Sequence, residues 1–352
     1  MRNSHTTDKV VLISRRWPHH AGPSGYDSLG KFVGNSLVAK PIPRFLLPDR
    51  HFWRLNRGML GYDRAGVALE LSAVWHMASH RGCIYHVLYG DNCYNYLGRL
   101  NGWRNHRVVV SYHYPVSRLA ELISNKDPIR RLSAAIIVGT NQRSFFEDAL
   151  PKERILHVPY AVDTSFFRPP PAYSNREANL CLFAGSHLRD FATLCQIIED
   201  ARILAPQLEF ALIVLPQDLA RFKNVVGNYT VYSQLTDGEL LQLYQQASLL
   251  IQPLRDATAN TVLLEGLSCG LPIVVTDIGA VRDYLDENCA RFIQPFNPEE
   301  MLAAIVQLMD APQERRYLAM ASRNQALKYD WHKIAHRMLE VYDQILASEK
   351  QS

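Results

Sequence analysis

Short apolar runs of strand length alternate with segments of helical spacing along the whole chain. Val10–Ile13, Ile84–Leu88, Arg107–Tyr112 and Ala134–Val138 are the strand candidates of the first half. Leu180–Ala184, Phe210–Leu215, Leu249–Gln252 and Ile273–Thr276 are those of the second. Helices are predicted from about Ser28, over Phe191–Leu204, and over Gly238–Ala247, where Leu240, Leu241, Tyr244 and Ala247 share one face. Another opens at Asn260 and stops at Gly270. Asn297-Pro298-Glu299-Glu300 is a helix start with a cap residue, a proline in the first position and acids in the first turn. Trp331 to about Leu346 is the last. Apolar strands separated by amphipathic helices predict parallel sheets covered on both faces. The proline-rich stretch between Val162 and Asn179 reads as a linker. The expected architecture is α/β: two Rossmann-like, doubly wound lobes over 1–172 and 173–330, a hinge near 170, and a closing helix in 331–352.

Composition changes this picture little. The 352 residues are 47% hydrophobic and 20% charged, which excludes disorder, and the longest apolar runs fall far short of a bilayer span. Arg15-Arg16 cut off the first apolar run before a secretory core forms, so a cytoplasmic protein is expected. The six cysteines are scattered, without metal-binding spacing, and read as buried thiols in a reducing compartment.

Charge is unevenly spread. Through Arg168 there are 23 Lys and Arg against 12 Asp and Glu, or +11; the remainder has 15 against 22, or −7. A basic front half suits an anionic acceptor or an anionic membrane surface. Nucleic acid is not expected, since no finger, homeodomain-like or RNP-type pattern accompanies the charge. Arg44-Phe45-Leu46-Leu47 through Leu60 mixes basic and large apolar residues, which fits either a peripheral contact at the inner face of a membrane or a helix turning Phe52 and Leu55 into the core.

Chemistry concentrates in Asn260-Thr261-Val262-Leu263-Leu264-Glu265-Gly266-Leu267-Ser268-Cys269-Gly270. A helix opening at Asn260 and Thr261 presents backbone N–H groups and the positive end of its dipole, a seat for phosphate. Thr261 and Glu265 are four apart and share a face. A carboxylate one turn in accepts two hydrogen bonds from vicinal hydroxyls such as those of a ribose. Leu263, Leu264 and Leu267 make the helix apolar, and a glutamate buried among them is expected to be paired or ligand-facing. These residues describe a nucleotide site.

The run Leu264 to Val274, followed by Thr276-Asp277-Ile278-Gly279, resembles the signature of family 4 glycosyltransferases of the GT-B fold. Val158-Pro159-Tyr160-Ala161-Val162-Asp163 before Phe167 and Pro169, Phe183-Ala184-Gly185, Asp237–Tyr244 before Ala247, and the closing Trp331 helix fall in the family's order over about residues 155–342. The resemblance implies two lobes facing across a cleft, the acceptor side first and the nucleotide-sugar side second, with the last helix crossing back. It implies a hexosyl-type transfer from a UDP- or GDP-sugar to an acceptor hydroxyl of a glycan, a lipid-linked or a small molecule, with retention and with neither metal nor cofactor. The chain contains no Asp-x-Asp triplet, as that reading expects.

The resemblance also distributes roles. Gly185, Ser186, Asn260, Thr261, Val262 and Glu265 fall on the donor side, and Arg189 stands where a cation would hold the diphosphate as charge gathers on it. A surface ion pair with Asp190 or another acid is the alternative for Arg189. The family's first glutamate, eight positions before Glu265, is Ala257 here; adjacent Asp256 takes that part if the loop Arg255–Asn260 bulges by one residue. His113 closes the strand Arg107–Tyr112 and stands where such enzymes place a histidine by the donor sugar and acceptor hydroxyl. Gly22 and Gly25, in Gly22-Pro23-Ser24-Gly25 after the first strand, stand where the family has a glycine-rich loop. A non-catalytic nucleotide-sugar-binding subunit and a GT-B-fold epimerase remain as other readings. A dehydrogenase does not, for want of the dinucleotide fingerprint.

Overall fold

The computed structural model describes residues 4–15, 22–38, 42–43, 45–56, 59–173 and 176–347. Two compact units emerge. The first comprises residues 1–20, 25–160 and 331–352, the second 21–24 and 161–330.

The first unit holds a six-stranded parallel sheet of β1 (Val10–Ile13), β2 (Asn35–Leu37), β3 (Ile84–Val87), β4 (Arg107–Tyr112), β5 (Ala134–Ile137) and β6 (Ile155–His157) in the order β2-β1-β3-β4-β5-β6. Every residue of β1, β3 and β5 is buried, as strands covered on both faces require. Among the covering helices are Arg64–Ser79 and Trp331–Ala347. The latter is fixed by Tyr342, whose hydroxyl lies 2.6 Å from His86 Nδ1 on β3. The helix expected from Ser28 is a short 3-10 helix, Tyr26–Lys31. A segment that short, with a glycine inside it, does not repay α-helix nucleation.

The second unit repeats the architecture with β7 (Leu180–Ala184), β8 (Glu209–Ile213), β9 (Tyr229–Tyr232), β10 (Leu249–Gln252), β11 (Ile273–Thr276) and β12 (Ala290–Ile293), ordered β12-β11-β10-β7-β8-β9 and parallel throughout. The helix Phe191–Leu204 buries Leu194, Ile197, Ile198 and Ala201 with Phe183, Phe210 and Leu212 of the sheet. Ile305 and Leu308 of the helix Pro298–Asp310 belong to the same core. The chain starts at β7, winds out to β9, then returns to the other side of β7 with β10. Strand order therefore reverses between β7 and β10, and the crevice beyond their carboxyl ends is where open α/β sheets bind ligands.

The break between units at 160–161 comes before the hinge expected near 170. Phe167 explains it: its ring is fully buried, and its carbonyl accepts from Ser268 Oγ at 2.5 Å and Arg323 Nη1 at 3.1 Å, which ties this segment to the second unit. All six cysteines are free thiols. Among the described residues no helix is long and apolar enough to cross a membrane.

Candidate functional site

The site builds up at the strand-order reversal of the second sheet. β7 runs out at Ala184, and Gly185 turns the chain with φ +97°. A Cβ there would stand 2.4 Å from Arg189 Nη2, so glycine is needed for both backbone and space. The loop then joins the one leaving β10: Asp190 donates its N–H to Pro253 O at 2.9 Å and Arg255 to Leu188 O at 3.0 Å.

Arg189 lies inside this join. Its Nε donates to Ala184 O at 3.0 Å, Nη1 to His187 O at 2.9 Å and Nη2 to Asn260 Oδ1 at 3.3 Å. Asp190 is not its partner, and the acid that acts on Arg189 electrostatically is Glu265. Asp190 instead caps the next helix, accepting from Thr193 Oγ1 at 2.6 Å. Burial lowers the guanidinium to about 10, still charged at neutral pH. Three of its five N–H groups are committed among the described residues, leaving donors for an anion.

Asn260 caps the eight-residue helix Thr261–Ser268, its Oδ1 accepting from Val262 N at 3.1 Å. The amide of Val262, a residue expected on the donor side, is thus engaged by the cap. Ser186 is likewise drawn elsewhere: its Oγ accepts from Leu215 N at 3.0 Å, at the exit of β8. Thr261, half-buried, begins the helix.

Glu265 is 6% exposed, one turn into that helix. Ser24 Oγ donates to its Oε1 at 2.6 Å and Tyr244 Oη to its Oε2 at 2.8 Å. Burial raises its pKa to about 7 against the pull of both hydroxyls and of Arg189. A carboxylate oxygen accepts two hydrogen bonds, so this one retains capacity beyond the two it uses. Neither Ser24 nor Tyr244 was singled out as a site residue from the sequence. For Tyr244 a signal existed, since a buried tyrosine hydroxyl needs a partner.

Gly22 N donates to both carboxylate oxygens of Asp237, at 3.1 and 2.9 Å, so its backbone meets an acid at a helix start. Gly25 sits at φ +114°, a conformation reserved for glycine, and leads into Tyr26. Asp256 was expected to stand in for the missing glutamate if the loop Arg255–Asn260 bulges by one residue. It lies in an irregular loop and accepts from the next amide, Ala257 N, at 2.8 Å.

His113 lies in the first unit just past β4. Its Nε2 is 2.7 Å from Leu88 O, which makes Nε2 the protonated nitrogen of a neutral ring. Burial holds its pKa down to about 4. Tyr26 meets the ring edge-on with centroids 4.7 Å apart, and Tyr89 lies at 5.1 Å. The buried Asp91 carboxylate accepts from His113 N at 3.0 Å and Tyr114 N at 3.3 Å, fixing the turn.

Residues 178–311 match the family model described as "Glycosyl transferases group 1". That region holds β7 to β12 and the whole Gly185–Arg189–Asn260–Glu265 cluster. The matched stretch, most of the second unit, is similar to the group 1 glycosyl transferases. The resemblance to family 4 is thereby borne out. Among similar proteins, the MMP alpha-(1->4)-mannosyltransferase of Mycolicibacterium hassiacum is 24% identical over 56% of this chain and 50% of its own. The phosphatidyl-myo-inositol mannosyltransferase of Mycolicibacterium smegmatis is 22% identical over 68% of this chain and 65% of its own. The chain spans about half the length of the first of these. Among solved structures, a sucrose-phosphate synthase from Thermosynechococcus elongatus superposes with a TM-score of 0.73 at 16% identity, covering 97% of this chain and 100% of that one. Anabaena HepE in complex with UDP and glucose gives 0.69 at 13% identity over 96% and 100%. The fold is GT-B.

Proposed function

We propose that the protein transfers a sugar from a nucleoside-diphosphate sugar to an acceptor hydroxyl, with retention and without a metal. The observation that carries this is the buried Glu265 carboxylate one turn inside a capped helix, at the strand-order reversal, beside the partly uncommitted Arg189 guanidinium. Glu265 accepts the ribose hydroxyls. Thr261, the dipole of its helix and Arg189 take the diphosphate and hold the charge that gathers on the leaving group. Gly185 lets the loop backbone close on the phosphates. His113, neutral at pH 7, orients rather than ionises a hydroxyl. For Asp256 the irregular loop leaves a sugar contact as its proposed part.

Names among the relatives support the donor and acceptor classes. A neighbour solved with UDP supports a nucleoside-diphosphate sugar as donor, and between UDP and GDP the thermal-shift test below decides. Relatives named for inositol phosphate and phosphatidyl-inositol support a phosphate-bearing or lipid-linked acceptor, which suits the basic front half. An anionic bilayer is the proposed surface for that half. Phe45, Leu46 and Leu60 are exposed, whereas Phe52 turns inward under Arg64; Arg44, Arg57 and Gly58 lie outside the described residues. Co-sedimentation with phosphatidylglycerol vesicles, lost in high salt, tests this.

The donor reading is tested by thermal shift with UDP, GDP and ADP on the wild type and on Glu265→Ala. A ligand at a hundred times its dissociation constant adds about 2.7 kcal/mol. One diphosphate stabilising the wild type and not the variant supports the reading. No stabilisation by any of them overturns it.

A further inference from the structure

The last turn of the helix Arg64–Ser79 carries His76, and His80 follows as its C-cap residue. Four apart, the two side chains share a face. Their rings stack, with centroids 3.8 Å apart and planes 2° from parallel. His80 Nδ1 lies 2.8 Å from His76 O and 3.0 Å from Ser79 Oγ. A carbonyl only accepts, so Nδ1 carries the proton of a neutral His80 ring and Nε2 its lone pair. His76 Nδ1 lies 2.8 Å from Tyr85 Oη. Both rings are thus anchored through one nitrogen, as metal-holding histidines are. Neither Nε2 has a hydrogen-bond partner among the described residues, and that of His76 reaches solvent, as does the exposed His80.

Burial, with His80 and His106 beside it, holds His76 below its ordinary pKa and so neutral at pH 7. The pair also ends a 16-residue helix, where the dipole favours a cation. Two neighbours are excluded as further ligands. His106 accepts from Cys83 N at 3.2 Å and donates from Nε2 to Met77 O at 3.0 Å, which commits both nitrogens. Cys83 donates its thiol to Arg81 O at 3.6 Å, and burial raises its pKa. Among the described residues no group of three His, Cys, Asp or Glu converges. Arg104 adds a positive charge, its Nε donating to His80 O at 3.0 Å. A hard cation that needs several oxygen ligands has nothing to hold it here. An ion satisfied by imidazole and water does. His332 and His336 on the closing helix share the spacing, but the first sets its ring against Phe32 and the second pairs with Glu340.

We propose that His76 and His80 form a two-imidazole site for a divalent transition-metal ion of the zinc, nickel or copper class, with water in its remaining positions. A tilt of the stacked rings brings both Nε2 atoms onto one ion at ~2.0–2.1 Å. Binding selects the His76 tautomer whose Nδ1–H donates to Tyr85. The ion clips the last helical turn to the residue that ends it. None of these residues belongs to the Glu265 cluster, so the site stands or falls apart from the nucleotide reading.

The test is isothermal calorimetry of the full, untagged chain with zinc chloride, and with magnesium chloride as the hard cation. Zinc is expected to bind and magnesium is not. His80→Ala changes an exposed side chain, and His76→Gln leaves the Tyr85 hydroxyl a partner, so neither threatens the fold. Each is expected to weaken zinc by about tenfold or more, since one imidazole cannot chelate. His336→Ala is expected to leave the affinity unchanged. Zinc is also expected to raise the thermal unfolding midpoint of the wild type more than that of His80→Ala. The proposal is overturned if zinc does not bind, if magnesium binds equally well, or if His80→Ala and His76→Gln both keep the wild-type affinity. Loss of zinc binding in His336→Ala would equally overturn it, by placing the ion on the closing helix.

Discussion

Tyr244 and Glu265 come from different helices and meet in the interior, the hydroxyl donating to the carboxylate Oε2 at 2.8 Å. Tyr244 is fully buried, so the bond holds the acid in place and lowers the cost of its charge. Tyr244→Phe leaves the ring packing and removes the donor. We expect a loss of about 1–3 kcal/mol in urea denaturation, the penalty for a buried acceptor deprived of a partner. Glu265 should rise further in pKa, and nucleoside diphosphate binding at pH 7 should weaken. A variant as stable and as competent as wild type would show that the hydroxyl does nothing for the acid.

Glu265 itself makes stability and binding depend on pH in opposite directions. Burial raises it from 4.5 to about 7. Between those values the folded protein holds more protons than the unfolded chain, so this group's contribution to stability falls as pH rises from 4.5 to 7 and is level above. A tenfold change in proton affinity corresponds to about 1.4 kcal/mol, so Glu265→Gln should gain up to ~3 kcal/mol relative to wild type between pH 4.5 and 8. Ribose hydroxyls donate best to the charged form. Nucleotide affinity in the wild type should therefore rise up to about tenfold from pH 6 to 8, following the ionised fraction. Calorimetry at both pH values checks it, and the Gln variant should show no such rise.

The interior of both sheets was legible in the sequence, and the edges were not. β1, β3, β4, β5, β7, β8, β10 and β11 were all predicted as apolar runs, and each has a strand on both sides. β2, β6, β9 and β12 were missed, and these are the four edges. Asn35, Ser36 and Leu37 of β2, like Tyr229 to Tyr232 of β9, are half-buried or exposed. An edge strand faces solvent along one side and tolerates polar residues, so an apolar run is the wrong signal for it. The site divides the same way. Glu265, Asn260, Arg189 and Gly185 were found because their signal is local, a helix start and a strand end. Ser24 reaches Glu265 from 241 residues away, and no periodicity encodes such a meeting.

His113 should not titrate across the physiological range. Its pKa is held to about 4 by burial, while Nε2 keeps its proton toward Leu88 O. A histidine with a depressed folded pKa contributes stability that is complete above about 6.5 and is lost as pH falls toward 4. Nitrogen-15 spectra of labelled protein should show one ring with its proton on Nε2 and constant resonance positions from pH 6 to 8. A ring titrating near 6.5 would contradict the assigned neutral role.

Gly185 offers a test of how tightly the loop and Arg189 are matched. With φ +97° and a Cβ position 2.4 Å from Arg189 Nη2, Gly185→Ala strains the backbone and pushes the guanidinium off Asn260. The expected cost is about 1–3 kcal/mol in thermal or chemical unfolding. Diphosphate binding should fall with it, while Gly238→Ala, at a position with open space around it, should cost little.

Asn260 separates the stability of the site from its charge. Its Oδ1 accepts from Val262 N at 3.1 Å and from Arg189 Nη2 at 3.3 Å, so one oxygen caps the helix and orients the cation. Asn260→Ala loses both bonds and should cost about 0.5–2 kcal/mol, the usual range for a lost cap. Asn260→Asp keeps the geometry and strengthens both, since a carboxylate favours a helix N-terminus and pairs with a guanidinium. The Asp variant should therefore unfold no earlier than wild type. Yet it sets a negative charge where a diphosphate would enter and neutralises Arg189, so nucleoside diphosphate affinity should fall at least tenfold. An Asp variant that binds UDP or GDP as wild type does would mean that the phosphates lie elsewhere, and Arg189 would be left with only its structural part.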